Sequence, residues 1–166
     1  VGFSPNLRER AMDKIASAKD AVMDRLQPSY SPVQPIKFEA NTESPEHPGA
    51  NANDGNTLSY WLVPGGTGIE PILTVRFDEP IDLKRISLWN GSTEGFKDNA
   101  RPRQLHFVFD TNTSFDLDVK DVPDQQQYAI ENGEGIRSVE IHIADAVDSL
   151  KSPDLWLSEI EFYVQR

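Results

Sequence analysis

The chain has 166 residues, no cysteine, and 27 acidic against 16 basic side chains, for a formal net charge of -11 at pH 7. That length suits one domain with a substantial core, and the charge sets its long-range field against phosphate backbones and anionic membrane surfaces, so nucleic acid is not an expected partner. Lack of cysteine excludes a disulfide framework, thiol catalysis and zinc-thiolate sites, and no window reaches the roughly 18 apolar residues of a membrane-spanning helix.

The sequence starts at Val1 rather than methionine, which suggests a processed protein or part of a longer one, with any anchor upstream of Val1. Residues 5–26 carry a helical pattern. Ser4 and Pro5 suit its cap and first turn, and Leu7, Ala11, Ile15, Ala18, Val22 and Leu26 form one apolar stripe at three- and four-residue steps. Glu9, Asp13, Asp20 and Asp24 mix with the basic residues around it, so a helix packed on its own domain or on a protein partner is expected rather than one lying on a membrane. Pro28, Pro32 and Pro35 then end the helix and hold the chain extended as a linker or stalk. The first 35 residues are read as helix and tether, and residues 36–166 as a separate domain.

From Ile36 onward, short runs rich in Val, Ile, Phe and Leu alternate with Gly, Pro, Asn and Asp, the pattern of an all-β domain. Strands are predicted near residues 36–40, 59–62, 72–77, 81–90, 104–109, 114–119, 126–130, 138–144 and 156–164, enough for a β-sandwich. Leu73, Val75 and Phe77 oppose Thr74 and Arg76, and Val139, Ile141 and Ile143 oppose Glu140 and His142, so one face of each strand is core and the other wet.

Two loops stand out. Residues 51–61 read NANDGNTLSYW, in which Gly55 permits a positive φ and the Asp and Asn side chains can bond nearby amides. Trp61, directly after this turn, either plugs the end of the sandwich with its indole N–H bonded locally or offers a stacking face to a sugar, and the same two readings apply to Trp89 and Trp156. Residues 90–103, NGSTEGFKDNARPR, form an island of positive charge in an acidic protein, with Phe96, Lys97, Asn99, Arg101 and Arg103. Planar donors beside an aromatic ring are what a pyranose requires, with its hydroxyl edges and C–H face. Alternatively, Arg101 makes a structural ion pair beneath the loop and Phe96 merely packs. Catalysis is not expected. His47, His106 and His142 lie in unrelated settings, the common catalytic motifs are missing, and no spacing singles out a carboxylate pair.

The order of NANDGNTLSYW, ILTVRFDEPIDLKRISLWNG, NARPRQLHFVF, SVEIHIAD and LSEIEFYV resembles the discoidin or galactose-binding-like jelly roll, and most closely its NADase-type glycan-binding form in bacterial, including actinobacterial, surface and secreted proteins. The resemblance covers about residues 33–166. It implies an all-β jelly-roll sandwich behind an N-terminal amphipathic helix, non-catalytic binding of cell-envelope or extracellular glycan, and a place at the cell surface or outside the cell, tethered upstream of Val1. It does not imply NAD-cleaving chemistry. Asn90, Gly91, Arg101 and Pro102 match the family's Asn-Gly and Arg-Pro pairs, and Trp61, Asn90, Phe96, Lys97, Asn99 and Arg101 are the candidate glycan contacts. In related domains such a turn often holds structural calcium. The ligands here would be Asp54, Asn56, Thr57 and Glu159, with carbonyls completing the six to eight oxygens calcium takes. The other reading of that turn has no metal, Glu159 bonding directly to the loop amides. The alternative function is a protein-interaction or scaffold role, with the N-terminal helix meeting a protein partner.

Overall fold

A computed structural model of the chain describes residues 29–166. The helix expected at residues 5–26 lies outside the described residues. Two units are distinguished among the described residues, 32–164 and the pair of segments 29–31 and 165–166. In the second, the Arg166 N–H donates to the Ser29 carbonyl at 2.9 Å.

Ten strands follow in chain order: β1 (Tyr30–Val33), β2 (Lys37–Ala40), β3 (Trp61–Val63), β4 (Ile72–Ile81), β5 (Leu83–Asn90), β6 (Asn99–Phe109), β7 (Ser114–Asp118), β8 (Gln126–Ala129), β9 (Ile136–Val147) and β10 (Ser152–Gln165), with a 3-10 turn at Gly49–Asn53. All nine predicted strands are present. β1 was not predicted, because the prolines around it read as tether. Proline is admitted where its missing N–H faces no ladder partner, so Pro32 does not prevent a short strand. β6 also begins at Asn99, five residues before its predicted start, and thereby takes Asn99, Ala100, Arg101, Pro102 and Arg103 out of the loop where they were expected.

Strands β2, β4, β9, β6 and β7 pair in that order into an antiparallel front sheet. In the back sheet β10 pairs antiparallel with β3 and with β5, and β5 with β8. The two sheets meet where β6 runs parallel to β10, Asn99 opposite Ser152 and Ala100 opposite Leu155. Period-two alternation assigns the faces as expected: Leu73, Val75 and Phe77 of β4, Leu105, Phe107 and Phe109 of β6, and Val139, Ile141 and Ile143 of β9 are all buried. Phe77 and Phe162 meet edge to face at 5.6 Å and 83°, joining the two inner surfaces. Asn112, at φ 67°, turns the β6–β7 hairpin, a left-handed position that asparagine tolerates better than most residues.

Registers place several loops at one end, here called the apex. Val63 at the end of β3 lies opposite Leu155 near the start of β10. Val147 at the end of β9 lies opposite Arg101 near the start of β6, and Ala40 at the end of β2 opposite Leu73 near the start of β4. Segments 41–60, 64–71, 91–98 and 148–151 therefore leave the sandwich together. The last two are bonded, since the Leu150 N–H donates to Lys97 O at 2.9 Å and the Lys151 N–H to Asp98 O at 3.3 Å.

Trp61 is 0% exposed and lies opposite Leu157 in the back sheet. Its indole N–H donates to the Thr42 carbonyl at 2.9 Å. We expect Trp61→Ala to cost about 3–5 kcal/mol in denaturant unfolding through the cavity and the unpaired carbonyl it leaves. A loss below about 1 kcal/mol would contradict this placement.

Candidate functional site

Most of the polar residues expected to face a sugar are committed to holding the apex together. Arg101 is 4% exposed. Its Nε and Nη2 donate to the two carboxylate oxygens of Asp121 at 2.6 and 2.9 Å, and its Nη1 donates to Phe96 O at 3.3 Å and Asn99 O at 3.2 Å. The guanidinium carbon lies 4.6 Å from the centre of the Phe96 ring. A buried guanidinium is retained only when its donors are satisfied, and this one is spent on the loop carbonyls and on Asp121, whose carboxyl it holds below the usual range. Asn90 is fully buried and its amide donates to Pro102 O at 2.9 Å. Asn99 donates to Gly95 O at 3.3 Å. Gly91 (φ 58°) lies so close to the Phe96 ring that a Cβ would come within 2.9 Å of it.

Four of the six candidate contacts are therefore corrected. Trp61 has no surface to offer, and Asn90, Asn99 and Arg101 act as internal struts. Phe96 is half-buried under Arg101, and only Lys97 stands in solvent.

The DGNT turn lies directly against the last strand, as the resemblance implies. Glu159 accepts from the Gly55 N–H at 2.9 Å, Ser158 Oγ donates to Thr57 O at 2.7 Å, and the Asn53 amide donates to Ile160 O at 2.8 Å. Within the turn, Asp54 accepts from the Asn56 N–H at 2.9 Å and from the Ser59 hydroxyl at 2.5 Å, and Asn56 accepts from the Leu58 N–H at 2.9 Å. Of the carboxylate oxygens of Asp54 and Glu159, only Glu159 Oε1 is left without a partner, and it is buried. In this arrangement the turn closes through its own amides. Among the described residues, no group of three or more His, Asp or Glu side chains is spaced to hold a metal ion. Burial pushes the Glu159 carboxyl up to about 8 against the opposing Gly55 N–H, with the negative charges of Asp54 and Glu161 adding to it.

Two features of the apex escaped the sequence reading. One is a ladder of rings. Tyr60 stacks on Trp156 at 3.9 Å and 12°, and His47 on Tyr60 at 4.3 Å and 12°. All three are half-buried. Burial, reinforced by the negative charge of Glu94 in the 91–98 loop, holds the Tyr60 hydroxyl above its usual value. Alternation carried the clue: Trp61 and Leu157 point inward, so Tyr60 and Trp156 must point outward.

The other is a cleft of about 290 Å³ on the opposite side of the β3–β10 ribbon, between segment 64–71, the end of β9 and the start of β10. The run PGGTGIEP at residues 64–71 was its sequence signal.

The histidine settings also need correcting. His106 and His142 are register partners on neighbouring strands, with ring centres 5.8 Å apart. His106 is bonded to Asp116 at 2.5 Å and His142 to Glu70 at 2.9 Å and Glu140 at 3.2 Å. Burial works against charge on His142, but the Glu70 and Glu140 carboxylates outweigh it and keep its pKa above the ordinary value.

Three outcomes follow. Arg101→Ala should lower unfolding stability by about 2 kcal/mol, because Asp121 and two loop carbonyls lose their donor. An unchanged denaturant midpoint would refute the strut role. For Glu159, the folded-state pKa of about 8 lies above the ordinary 4.5. Its contribution is therefore fully present below about pH 4.5 and lost as pH rises through about 8. Relative to Glu159→Gln, the wild type should lose on the order of 2 kcal/mol between pH 5 and pH 8, and parallel pH profiles of the two proteins would refute this. Millimolar calcium at pH 8 will raise the melting temperature of the wild type, and not of Glu159→Gln, if a cation takes the place of that proton.

Residues 30–163 match the NAD glycohydrolase translocation F5/8 type C domain family. No curated protein sequence matches the chain. Among solved structures, the family 32 carbohydrate-binding module of C. perfringens NanJ, in complex with galactose, aligns with a TM-score of 0.62 and 14% identity over 76% of this chain and 92% of its own. An F5/8 type C domain from Bacteroides fragilis aligns at 0.58 and 15% identity, over 83% and 93%. The lectin-binding domain of Lectinolysin, in a mutant complexed with Lewis b, aligns at 0.59 and 12% identity, over 84% and 100%. These identities carry the fold, and with it the galactose-binding-like sandwich. With residues 30–163 matched, the chain belongs to the NAD glycohydrolase translocation F5/8 type C domain family.

Proposed function

We propose that this domain is a non-catalytic glycan-recognition module, acting at the cell surface or outside the cell as part of a larger secreted or membrane-anchored protein. The Tyr60–Trp156 stack carries this reading: Tyr60, sandwiched between His47 and Trp156, keeps only its edge, and the half-buried Trp156 at the end of the row supplies the flat ring on the outer side of the β3–β10 ribbon. A pyranose packs its C–H face on such a surface and turns its hydroxyls to polar neighbours. Here that neighbour is Glu94, close enough to act on the Tyr60 hydroxyl. The pair is also pre-organised. Trp156 is held in β10 opposite Leu62, and Tyr60 is clamped between two rings, so little freedom is lost when a ligand docks. The solved relatives named for galactose and Lewis b share this sandwich and are consistent with a sugar ligand.

A glycan array probed with wild type, Trp156→Ala and Arg101→Ala tests the proposal. Wild type should give a defined set of hits, Trp156→Ala should lose about tenfold or more in affinity for them, and Arg101→Ala, scaled for its folded fraction, should keep them. A folded wild type with no hits, with or without calcium, would replace this reading with that of a protein-interaction domain.

A further inference from the structure

The cleft behind the aromatic ladder has its own chemistry. Val63 and Leu155, which line it, are register partners on the β3–β10 ribbon. Leu62 and Trp156 alternate with them and face the other way. One ribbon thus separates two surfaces, and a ligand in the cleft does not touch the ladder.

The glycine-rich wall of the cleft is fixed in place. The Gly65 N–H donates to Asp154 at 2.9 Å, and a Cβ on Gly65 would come within 2.5 Å of Pro153 O, so the chain lies directly on β10. Gly66 and Gly68 take φ of 75° and 74° with nothing within 4 Å of the position a Cβ would occupy, leaving bare backbone toward the opening. Ile143 and Leu155 supply apolar surface.

The lining is acidic, with Arg103 pairing Asp145 from outside it and interacting with Asp148. The lining includes Asp145 and Asp148 and no lysine, arginine or histidine. Asp145 is oriented by the Arg103 Nε at 3.0 Å and by the Ala146 N–H at 2.9 Å, and Asp148 is exposed at the mouth. Nearby cations are already engaged, Arg103 with Asp145, Arg101 with Asp121 and Lys151 with Asp98.

From this geometry we infer that the cleft is a second ligand site, separate from the aromatic ladder, which takes a single uncharged or amine-bearing sugar ring and rejects an acidic one. A volume of about 290 Å³ lies at the small end of ligand clefts, the size for one ring rather than an oligosaccharide. The Asp145 carboxylate, held by Arg103 and the Ala146 N–H, accepts from hydroxyls or from an ammonium group, and the exposed Asp148, outside that ion pair, repels a uronic or sialic carboxylate. The inference rests on the glycan reading only in taking a sugar as the ligand.

The test is a ¹⁵N NMR titration of the full chain with the methyl glycosides of galactose, glucose, galactosamine and galacturonic acid. Saturable shifts should appear at the Gly66, Gly68 and Ala146 amides with a neutral or amino sugar. At low salt galacturonate should bind about tenfold more weakly than galactosamine, with the gap narrowing as salt is added. Asp148→Arg, an exposed change that leaves the core untouched, should reverse that order. Trp156→Ala should leave the cleft shifts in place. Shifts confined to Tyr60 and Trp156 would overturn the second site while keeping the glycan reading. Shifts nowhere with any sugar would remove both, and galacturonate binding as well as galactosamine at low salt would overturn the charge selection.

Discussion

The hydrogen-bonding of β10 is the constraint on which the apex depends. This one strand pairs with β3 over Leu155–Leu157, with β5 from Glu159 to Val164, and with β6 in parallel at its start. Its side chains then set each feature in turn. Asp154 pins the glycine wall, Leu155 lines the cleft, Trp156 carries the ladder, Leu157 backs Trp61, and Glu159 closes the DGNT turn. Because neighbours on a strand point to opposite sides, a slip of one residue would exchange Trp156 with Leu157 and lose the ladder and the core together.

The positive island that drew attention in the sequence is explained by burial. A long polar loop between Gly91 and Asp98 exposes carbonyls that need donors, and a single arginine beneath it can satisfy several at once while pairing with a carboxylate. Arg101 does this for Phe96, Asn99 and Asp121. It holds the loop's shape, which leaves Tyr60, Trp156 and the residues that line the cleft as the proposed ligand surfaces. The apex is consequently richer in acceptors than in unengaged cations, in keeping with the overall charge of -11.

Much of this was legible in the sequence. The alternation in β4 and β9 gave the buried face residue by residue, and the motif order gave the sandwich. The contact between the DGNT turn and Glu159 was legible through the family resemblance, although the two are separated by 104 positions. What stayed hidden depends on pairing across strands. Whether Arg101 lies under its loop or projects from it is decided by where β6 begins, and Asn99–Arg103 read as loop because Pro102 sits among them. Likewise, Tyr60 and Trp156 are 96 positions apart, and His106 and His142 are 36 apart; only the register brings each pair into contact. The prolines that concealed β1 misled for the same reason, since they report a missing donor but not whether any neighbour needed it.

The lateness of β10 in the chain bears on how the domain is made. The contacts that seal the apex span long stretches of sequence: Asn53 to Ile160, Gly55 to Glu159, Thr57 to Ser158. Topologies dominated by such distant partners fold slowly, on the millisecond-to-second scale. During synthesis the front sheet can begin to assemble while the inner faces of β3 and β5 have no strand to close against, so the nascent domain carries open, sticky edges until its final strand leaves the ribosome.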